Sequence, residues 1–230
     1  MKGEGLAHLL QLASPALPVG AFSYSEGLET LVQQGRLRDG EGVRRWLVAE
    51  LERGTVPIEA AALGPLREAL QRWRTGTAPA AWRELVDLDG WLLAQREAAS
   101  VRAQLRQMGG SLLALLTDLG WPLPQPAASR ACLSWPTAWA WAGLCLEIDP
   151  QEVVLTYLHG WAANQLSAAV RLVPLGPTEA QKLQLGLAPC LARRAADLSG
   201  ADPRQLWNGG VGMGLAQLGH CELYSRLFRS

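Results

Sequence analysis

The chain has 230 residues, with 21 basic and 21 acidic side chains and a pI near 6.8. Hydrophobic residues make up 49% of it, which excludes a globally disordered chain, and the balanced charge argues against nucleic-acid binding. Charged residues reach only 18%, so we expect part of the surface to be apolar and to contact a partner.

The four cysteines lie far apart and form neither a C-x-x-C pair nor a zinc-type pattern, so we expect reduced thiols. Three uncharged stretches, residues 6–25, 131–146 and 153–170, contain prolines or amide side chains. Such residues are unfavourable in a membrane-spanning helix or a signal peptide. We therefore expect a soluble, cytoplasmic protein without a membrane segment.

The composition favours helices over strands. Leucine occurs 42 times, valine 12 times and isoleucine twice, whereas sheets depend on β-branched residues. Apolar side chains recur every three or four positions along one predicted helix: Val101, Leu105, Met108, Leu112, Leu115 and Leu119. Since short Pro- and Gly-rich connections separate such segments, the sequence predicts a single all-α bundle of about eight to ten helices over residues 1–230.

The first distinctive segment, which we call the elbow, is residues 14–29, S-P-A-L-P-V-G-A-F-S-Y-S-E-G-L-E. Pro15 and Pro18 favour an extended backbone, because the proline ring fixes φ. Gly20 permits a turn that other residues resist. A rigid connection before a helix is a sufficient structural explanation of this pattern.

Capping signals predict where several helices begin and end. Ser23 with Glu26 predicts a capping box, and Gly35 should end the helix that follows. Asp39 should cap the next helix, which should end at Gly54. Further helix starts are predicted at Pro57, at Asp149–Glu152 and at Thr178 with Gln181.

Familiar catalytic patterns are missing from the sequence. It contains no Gly-rich phosphate loop, no H-E-x-x-H and no G-x-S-x-G, and its three histidines are far apart. Glu84, Asp87 and Asp89 lie among arginines and are expected on a solvated, ion-paired helix face. The sequence therefore predicts that the chain is not an enzyme and has no metal ligands of its own.

The second distinctive segment is residues 157–176, Y-L-H-G-W-A-A-N-Q-L-S-A-A-V-R-L-V-P-L-G, which should end as a helix near Pro174 and Gly176. Asn164 and Gln165 stand out in so apolar a helix. They should form hydrogen bonds to a partner or to buried backbone, and a core helix with satisfied amides explains them equally well.

The third distinctive segment is the tail, residues 220–230. Four side chains are expected on one face of a helix: Leu223, Tyr224, Leu227 and Phe228. Arg226 and Arg229 should lie at the rim of that face. An aromatic and aliphatic stripe at a chain end is typical of a segment that binds in a partner's groove.

Together the three segments resemble the UreF family of urease accessory proteins. The patterns S-P-x-L-P-V-G-A-F-S-Y-S-x-G-L-E, W-x-x-N-Q-x-x-A-A-V-R-L-V-P-L-G and Y-S-R-L-F-R-S match in order and spacing. The chain departs from the family at His220-Cys221, where His-Glu is usual, and at Arg171, where lysine is common. The region from Trp121 to Trp141 has no close counterpart.

The resemblance implies an all-α fold, a homodimer, and a complex with the accessory proteins UreD (also called UreH) and UreG. UreG is the GTPase that carries nickel, and the assembly is a GTP-dependent chaperone that delivers nickel to apo-urease. The family member is an adaptor and a modulator of the GTPase. The resemblance thus implies that nickel and GTP are handled by the complex and that this chain alone binds no cofactor.

The resemblance also assigns residues. Those expected to bind partners are Tyr24, Glu26, Arg171, Leu223, Tyr224, Arg226, Leu227, Phe228 and Arg229. Those expected to shape the motifs are Pro15, Pro18, Gly20, Ser23, Gly27, Asn164, Gln165, Pro174 and Gly176. Among His220 and Cys221 we expect no tight nickel site, since the side chains of adjacent residues diverge and two ligands are too few.

An alternative function is a small-ligand-binding helical protein. Trp135, Trp139 and Trp141 could line a pocket with Gln165, although packing between helices is the simpler interpretation of clustered tryptophans. A tight endogenous metabolite in the purified protein would support the pocket, whereas a stoichiometric complex with a GTPase would support the adaptor.

Overall fold

The computed structural model describes residues 2–14, 16–76, 80–124 and 133–229, without the side chains of residues 2, 3 and 6. Within these ranges the chain forms ten α-helices and no β-strand, which confirms the predicted all-α class. The helices are α1 (Lys2–Leu12), α2 (Leu28–Gln33), α3 (Gly40–Arg53), α4 (Thr55–Arg74), α5 (Ala81–Ala94), α6 (Ala99–Asp118), α7 (Trp135–Cys145), α8 (Pro150–Leu172), α9 (Pro177–Leu198) and α10 (Val211–Gly219).

Helices α4 and α7 occupy the centre of the bundle. Every residue in the first half of α4, from Thr55 to Leu63, is buried, as is every residue of α7 from Pro136 to Leu144. The alanines at positions 60–62 allow close helix approach, and α4 accordingly packs against α3, α5, α7, α8 and α9. The main hydrophobic cluster extends from Leu12 to Phe228.

The apolar stripe predicted for α6 lies in the core over most of its length. Val101, Leu105, Met108 and Leu112 are buried, whereas Leu119 follows the end of the helix and is 48% exposed. At Gly109 a Cβ atom would collide with the Leu133 carbonyl oxygen. Glycine therefore allows α6 to approach the segment that leads into α7. In the described residues, no helix combines the length and apolarity that a membrane crossing requires.

Two predicted aspartate caps are confirmed. The Asp39 carboxylate accepts a hydrogen bond from the Gly42 N–H at 2.7 Å, and α3 ends at Gly54 as expected. The Asp149 carboxylate accepts one from the Gln151 N–H at 2.9 Å at the start of α8. Each satisfies a backbone donor that the first helical turn leaves free.

The predicted capping box at Ser23 is wrong. Ser23 ends a short 3-10 turn, and α2 begins only at Leu28. Between them the chain takes positive φ angles, 49° at Glu26 and 92° at Gly27, which cannot continue a right-handed helix. The Glu26 side chain is consequently directed into the protein rather than back to a helix start.

The second predicted box, Thr178 with Gln181, is also wrong. Helix α9 begins at Pro177, and the preceding Gly176 offers no side-chain cap. A first-turn proline is sufficient here, because its fixed φ suits a helix and it has no N–H to satisfy.

The expectation that Asp89 is solvated is wrong. Asp89 lies on α5 and is 5% exposed, and its Oδ1 accepts hydrogen bonds from the Ser134 N–H at 2.9 Å and Oγ at 2.6 Å. The same oxygen accepts from the Thr137 hydroxyl. A carboxylate on one helix thus caps the N-terminus of another, α7, where negative charge is favoured.

Candidate functional site

The tail is not a helix beyond its first turn. After a 3-10 turn at His220–Glu222, residues 223–229 are irregular, so the predicted helical stripe is wrong. Phe228 is buried in the main hydrophobic cluster, whereas Tyr224 is fully exposed and Leu227 is 53% exposed. The four apolar side chains therefore divide between the core and the surface.

Glu29 of α2 holds the tail in this position. Its carboxylate accepts hydrogen bonds from the Leu227 N–H at 2.6 Å and the Phe228 N–H at 3.1 Å. The same group lies 3.0 Å from Nε2 of His220, and both side chains are 2% exposed. We call this arrangement the Glu29 anchor. The N–H groups of Leu227 and Phe228, which would donate to backbone carbonyls in a helix, thus donate to a buried carboxylate instead.

Arg171, near the end of α8, is a second attachment point. Its guanidinium lies 4.5 Å from the centre of the Phe228 ring, and its Nη1 donates a hydrogen bond to the Phe22 carbonyl at 3.5 Å. The Ser23 carbonyl accepts a hydrogen bond from the Arg229 N–H at 2.9 Å. The elbow, the end of α8 and the tail, which are far apart in the sequence, therefore meet at one place.

The solvent-facing part of this junction is what we call the tail surface. Its members are Phe22, Tyr224, Arg226, Leu227 and Arg229, all of them exposed. Phe22 is 68% exposed. Three exposed apolar side chains beside two arginines have the composition of a protein-binding surface, in which aromatic residues and arginine are enriched.

Helix α10 carries a second exposed apolar surface. Val211, Leu215 and Leu218 are 64%, 65% and 45% exposed, while Met213 and Ala216 are buried. The exposed residues are spaced at i, i+4 and i+7, and the helix contains no charged residue. We call them the α10 stripe. Sequence reasoning missed it, because residues 209–214 contain four glycines, which weaken the signal of a helix.

Tyr24 and Glu26 do not belong to the surface, which corrects their expected role in partner binding. Each is only 6% exposed. The Tyr24 hydroxyl donates a hydrogen bond to the Gln107 Oε1 at 2.6 Å, which ties the elbow to α6. Glu26 accepts hydrogen bonds from the Gln104 Nε2 at 3.1 Å and the Trp161 Nε1 at 3.3 Å.

Glu26 is part of a buried group that we call the Arg96 cluster: Arg96, Glu26, Glu50, Glu59 and Tyr157. The guanidinium donates from Nε and Nη2 to the Glu59 Oε1 at 2.9 and 2.7 Å, and the Tyr157 hydroxyl donates to the Glu59 Oε2 at 2.8 Å. Nη1 of Arg96 lies 4.0 Å from the Glu26 Oε2. The cluster contains three carboxyl groups and one guanidinium.

This excess of carboxyl groups is reflected in their pKa values. Burial raises the pKa of Glu26, and Arg96 only partly opposes that rise. Burial also raises the pKa of Glu50 from 4.5 to about 7, with Glu26 adding to it and Arg96 again opposing it. Oε2 of Glu50 has no hydrogen-bond partner among the described residues, so no hydrogen bond there stabilises a charge on that atom.

Replacing Glu50 with glutamine should therefore stabilise the protein at pH 8. The folded state holds the Glu50 proton up to about pH 7, while the unfolded state releases it near 4.5, so wild-type stability falls as the pH rises between these values. The glutamine side chain carries no charge at any of these pH values. We expect a gain of about 2–3 kcal/mol above pH 7 that disappears towards pH 4.5.

The measurement is urea unfolding at several pH values. Glu52→Gln is the matched control, because Glu52 lies on the same helix but is exposed and ion-paired with Arg193, and its effect should stay within about 1 kcal/mol. A gain for Glu50→Gln that is equal at pH 5 and pH 8 would contradict the prediction.

The glycines of the elbow have the positive φ angles that its turns require. Gly20 has a φ of 75°, as its predicted turn requires, and Pro18 is exposed. At Gly27, a Cβ atom would lie 3.1 Å from the Gln217 backbone nitrogen, so glycine permits α10 to approach closely. Pro15 lies outside the described residues.

The motif residues of α8 differ in their bonding. The Asn164 Nδ2 donates to the Tyr24 carbonyl at 3.4 Å, in agreement with the predicted bond to buried backbone. Gln165 is fully buried, and neither its amide oxygen nor its nitrogen has a hydrogen-bond partner among the described residues, so the alternative of a bond to buried backbone is not seen there. Pro174 and Gly176 lie exposed between α8 and α9.

The side chains of His220 and Cys221 diverge. His220 is buried against Glu29, whereas Cys221 is exposed, with its Sγ 3.1 Å from the Leu218 carbonyl. Across the described ranges, no group of three or more His, Cys, Asp or Glu side chains is arranged to hold a metal ion.

The remaining cysteines form no disulfide among the described residues. Cys132 lies outside those ranges, and Cys145 and Cys190 are half-buried free thiols.

A cavity of about 170 Å³ lies between the elbow, α6, α7 and α8. Trp135 and Trp139 line it, as the pocket hypothesis predicts, but Trp141 and Gln165 do not. Trp161, which the hypothesis did not include, also lines it. Trp141 is instead buried, with its Nε1 donating to the Trp121 carbonyl at 3.0 Å. Part of the predicted aromatic group thus packs in the core and part faces the cavity.

Comparison with known proteins decides the family. The UreF family model matches residues 37–188, about two thirds of the chain. The chain belongs to the UreF family of urease accessory proteins. It is 41% identical to the urease accessory protein UreF of Microcystis aeruginosa (strain NIES-843 / IAM M-2473) over 222 residues, which cover 96% of each chain.

Two further UreF relatives cover both chains almost completely. The protein of Synechocystis sp. (strain ATCC 27184 / PCC 6803 / Kazusa) is 37% identical over 239 residues, with full coverage of each chain. That of Prochlorococcus marinus (strain MIT 9215) is 35% identical over 227 residues, which cover 97% of this chain and 99% of the relative. The UreF family comprises accessory proteins rather than enzymes, as these names state.

Proposed function

We propose that this chain is the adaptor of a urease maturation complex. In this complex it binds UreD and UreG, modulates the GTPase activity of UreG, and takes part in the chaperone that inserts nickel into apo-urease in the cytoplasm. It acts as a homodimer and binds neither nickel nor GTP alone. Membership in the UreF family supports the place in urease maturation, and the surfaces described above support the adaptor role.

The observation that carries this proposal is the exposure of Tyr224 and Leu227 on a tail that is otherwise held in place. Tyr224 is fully exposed and Leu227 is 53% exposed, while Phe228, immediately after them, is buried. Exposed aromatic residues on a positioned backbone bind with little loss of conformational entropy. We assign the tail surface to UreD.

An adaptor between accessory proteins needs more than one binding surface. The α10 stripe is a second apolar surface, and it is carried by a helix without charged side chains. Since helical stripes of this kind bind in hydrophobic grooves, it is suited to a further protein contact. The tail surface and the α10 stripe together provide what an adaptor requires.

The double substitution Tyr224→Ala with Leu227→Ala tests the assignment to UreD. Truncation of exposed interface residues at a binding centre weakens affinity by about 2 kcal/mol or more, roughly thirtyfold. The fold should be unaffected, because both side chains are exposed. UreD affinity is measured by calorimetry or by co-purification, and helical content by circular dichroism.

Leu185→Ala is the matched control, since Leu185 is 75% exposed on α9 and lies outside the tail surface. It should leave UreD binding unchanged. If the double variant binds UreD as tightly as the control does, the tail surface is not the UreD site and the proposed function loses its main support.

A further inference from the structure

The cavity next to the Arg96 cluster has features that the adaptor role does not use. Its walls come from the end of α1, the elbow, α4, α6, α7 and α8, and its volume is about 170 Å³. An enclosed apolar cavity of about 150 Å³ is large enough for a molecule the size of benzene. The space therefore suits a ligand of about five or six non-hydrogen atoms.

Aromatic rings form a continuous wall of this cavity. The ring centres of Trp135 and Trp139 are 5.1 Å apart, and those of Trp139 and Tyr157 are 5.8 Å apart. Trp161 also lines the space. The faces of aromatic rings attract cations, most strongly where water is excluded.

The polar lining of the cavity includes two carboxylates, Glu26 and Glu59. Glu59 is paired with Arg96 and Tyr157 through close hydrogen bonds. Glu26 accepts from the neutral Gln104 and Trp161 side chains, and the nearest Arg96 nitrogen is 4.0 Å away. Burial raises the pKa of Glu26, so a positive group beside it would stabilise its charged form.

We propose that this cavity binds a small organic ammonium ion, with the ammonium group against Glu26 and the hydrocarbon part against Trp135 and Trp139. Anions are disfavoured by the carboxylates, and a neutral molecule of the same shape would forgo the charge-assisted hydrogen bond to Glu26. This binding goes beyond the adaptor function, and it requires no partner protein.

Gly160 of α8 offers a way to block the cavity. It lies in the cavity lining, and a Cβ atom added there would meet no other atom within 4 Å. Gly160→Leu should fill much of the space, since its Cβ atom has room and its longer side chain extends from a residue of the cavity lining. Gly160→Ala is the matched control, since it makes the same backbone change and leaves most of the volume free.

The experiment titrates the isolated protein with isobutylammonium chloride, followed by calorimetry and tryptophan fluorescence. Isobutanol, which has the same shape without the charge, is titrated in parallel. We expect the ammonium ion to bind about tenfold to a hundredfold more tightly than the alcohol, in keeping with a hydrogen bond to a charged group. Gly160→Leu should abolish binding, and Gly160→Ala should retain it.

Glu26→Gln should remove most of the preference for the ammonium ion while isobutanol binding stays the same. Equal affinity for the two molecules in the wild type would overturn the proposal and leave a simple apolar cavity. Failure of isobutylammonium to bind, or binding that survives Gly160→Leu, would also overturn it. UreD binding is not measured here, so these outcomes are independent of the proposed adaptor function.

Discussion

Replacing Arg96 with methionine should lower the free energy of unfolding by about 3–5 kcal/mol at pH 7, because it leaves buried carboxylates without their cation. Arg96 is 2% exposed and donates two hydrogen bonds to Glu59. Methionine retains the length and the apolar part of the side chain, so the decrease in the free energy of unfolding reflects mainly the loss of the positive charge. Urea unfolding at pH 7 and pH 5 measures it.

The loss should be smaller at pH 5 than at pH 7, since Glu26 and Glu50, whose pKa values are raised by burial, can then be protonated. Arg72→Met is the matched control, because Arg72 is half-exposed and forms a surface ion pair with Glu84. The control should change stability by less than about 1 kcal/mol. Similar losses for Arg96→Met and Arg72→Met would show that the cluster does not depend on its guanidinium.

Replacing Glu29 with alanine should release the tail while leaving the rest of the bundle folded. The substitution removes the acceptor for the Leu227 and Phe228 N–H groups and leaves the buried His220 without its carboxylate partner. Hydrogen bonds to charged groups contribute about 1.5–3 kcal/mol each, so amide exchange at these two residues should accelerate by about tenfold to a hundredfold.

Hydrogen exchange followed by mass spectrometry measures this release, and UreD affinity should fall with it. Glu29→Gln retains an acceptor oxygen and should have a smaller effect. Glu222→Ala is the control, because Glu222 is an exposed carboxylate within the tail that takes no part in the Glu29 anchor. Unchanged exchange in Glu29→Ala would mean that Phe228 and Arg171 hold the tail without the anchor.

The sequence was sufficient for features that depend on nearby residues. Leucine periodicity predicted the helices, and Asp39 and Asp149 were predicted as caps because their hydrogen bonds reach only two or three residues along the chain. The three distinctive segments were identified from the order and spacing of their residues. Their meeting at one junction could not be derived from spacing, since it depends on how α2, α8 and the tail pack.

The parts that sequence reasoning missed rest on contacts between distant residues. Asp89 was expected on a solvated helix face and Glu29 was given no role of its own, but their partners lie 45 to 48 and 191 to 199 residues further along, respectively. The helical spacing of the tail was misleading for the same reason, because Glu29 takes the N–H groups that a helix would use. Positive φ at Glu26, which directs that residue inward, has no local signal in a non-glycine residue.

The Glu29 anchor joins two segments that are 191 to 199 residues apart, and this has a consequence for synthesis. A ribosome completes the elbow early and must add another 191 residues before His220 can reach Glu29. Until then the Glu29 carboxylate has neither His220 nor the N–H groups of Leu227 and Phe228 as partners, and Tyr224 has not been synthesised. An incomplete product that stops before residue 220 can contain most of the helices and still present no tail surface. A partner of the kind proposed for this surface would therefore discriminate against chains that stop before residue 220.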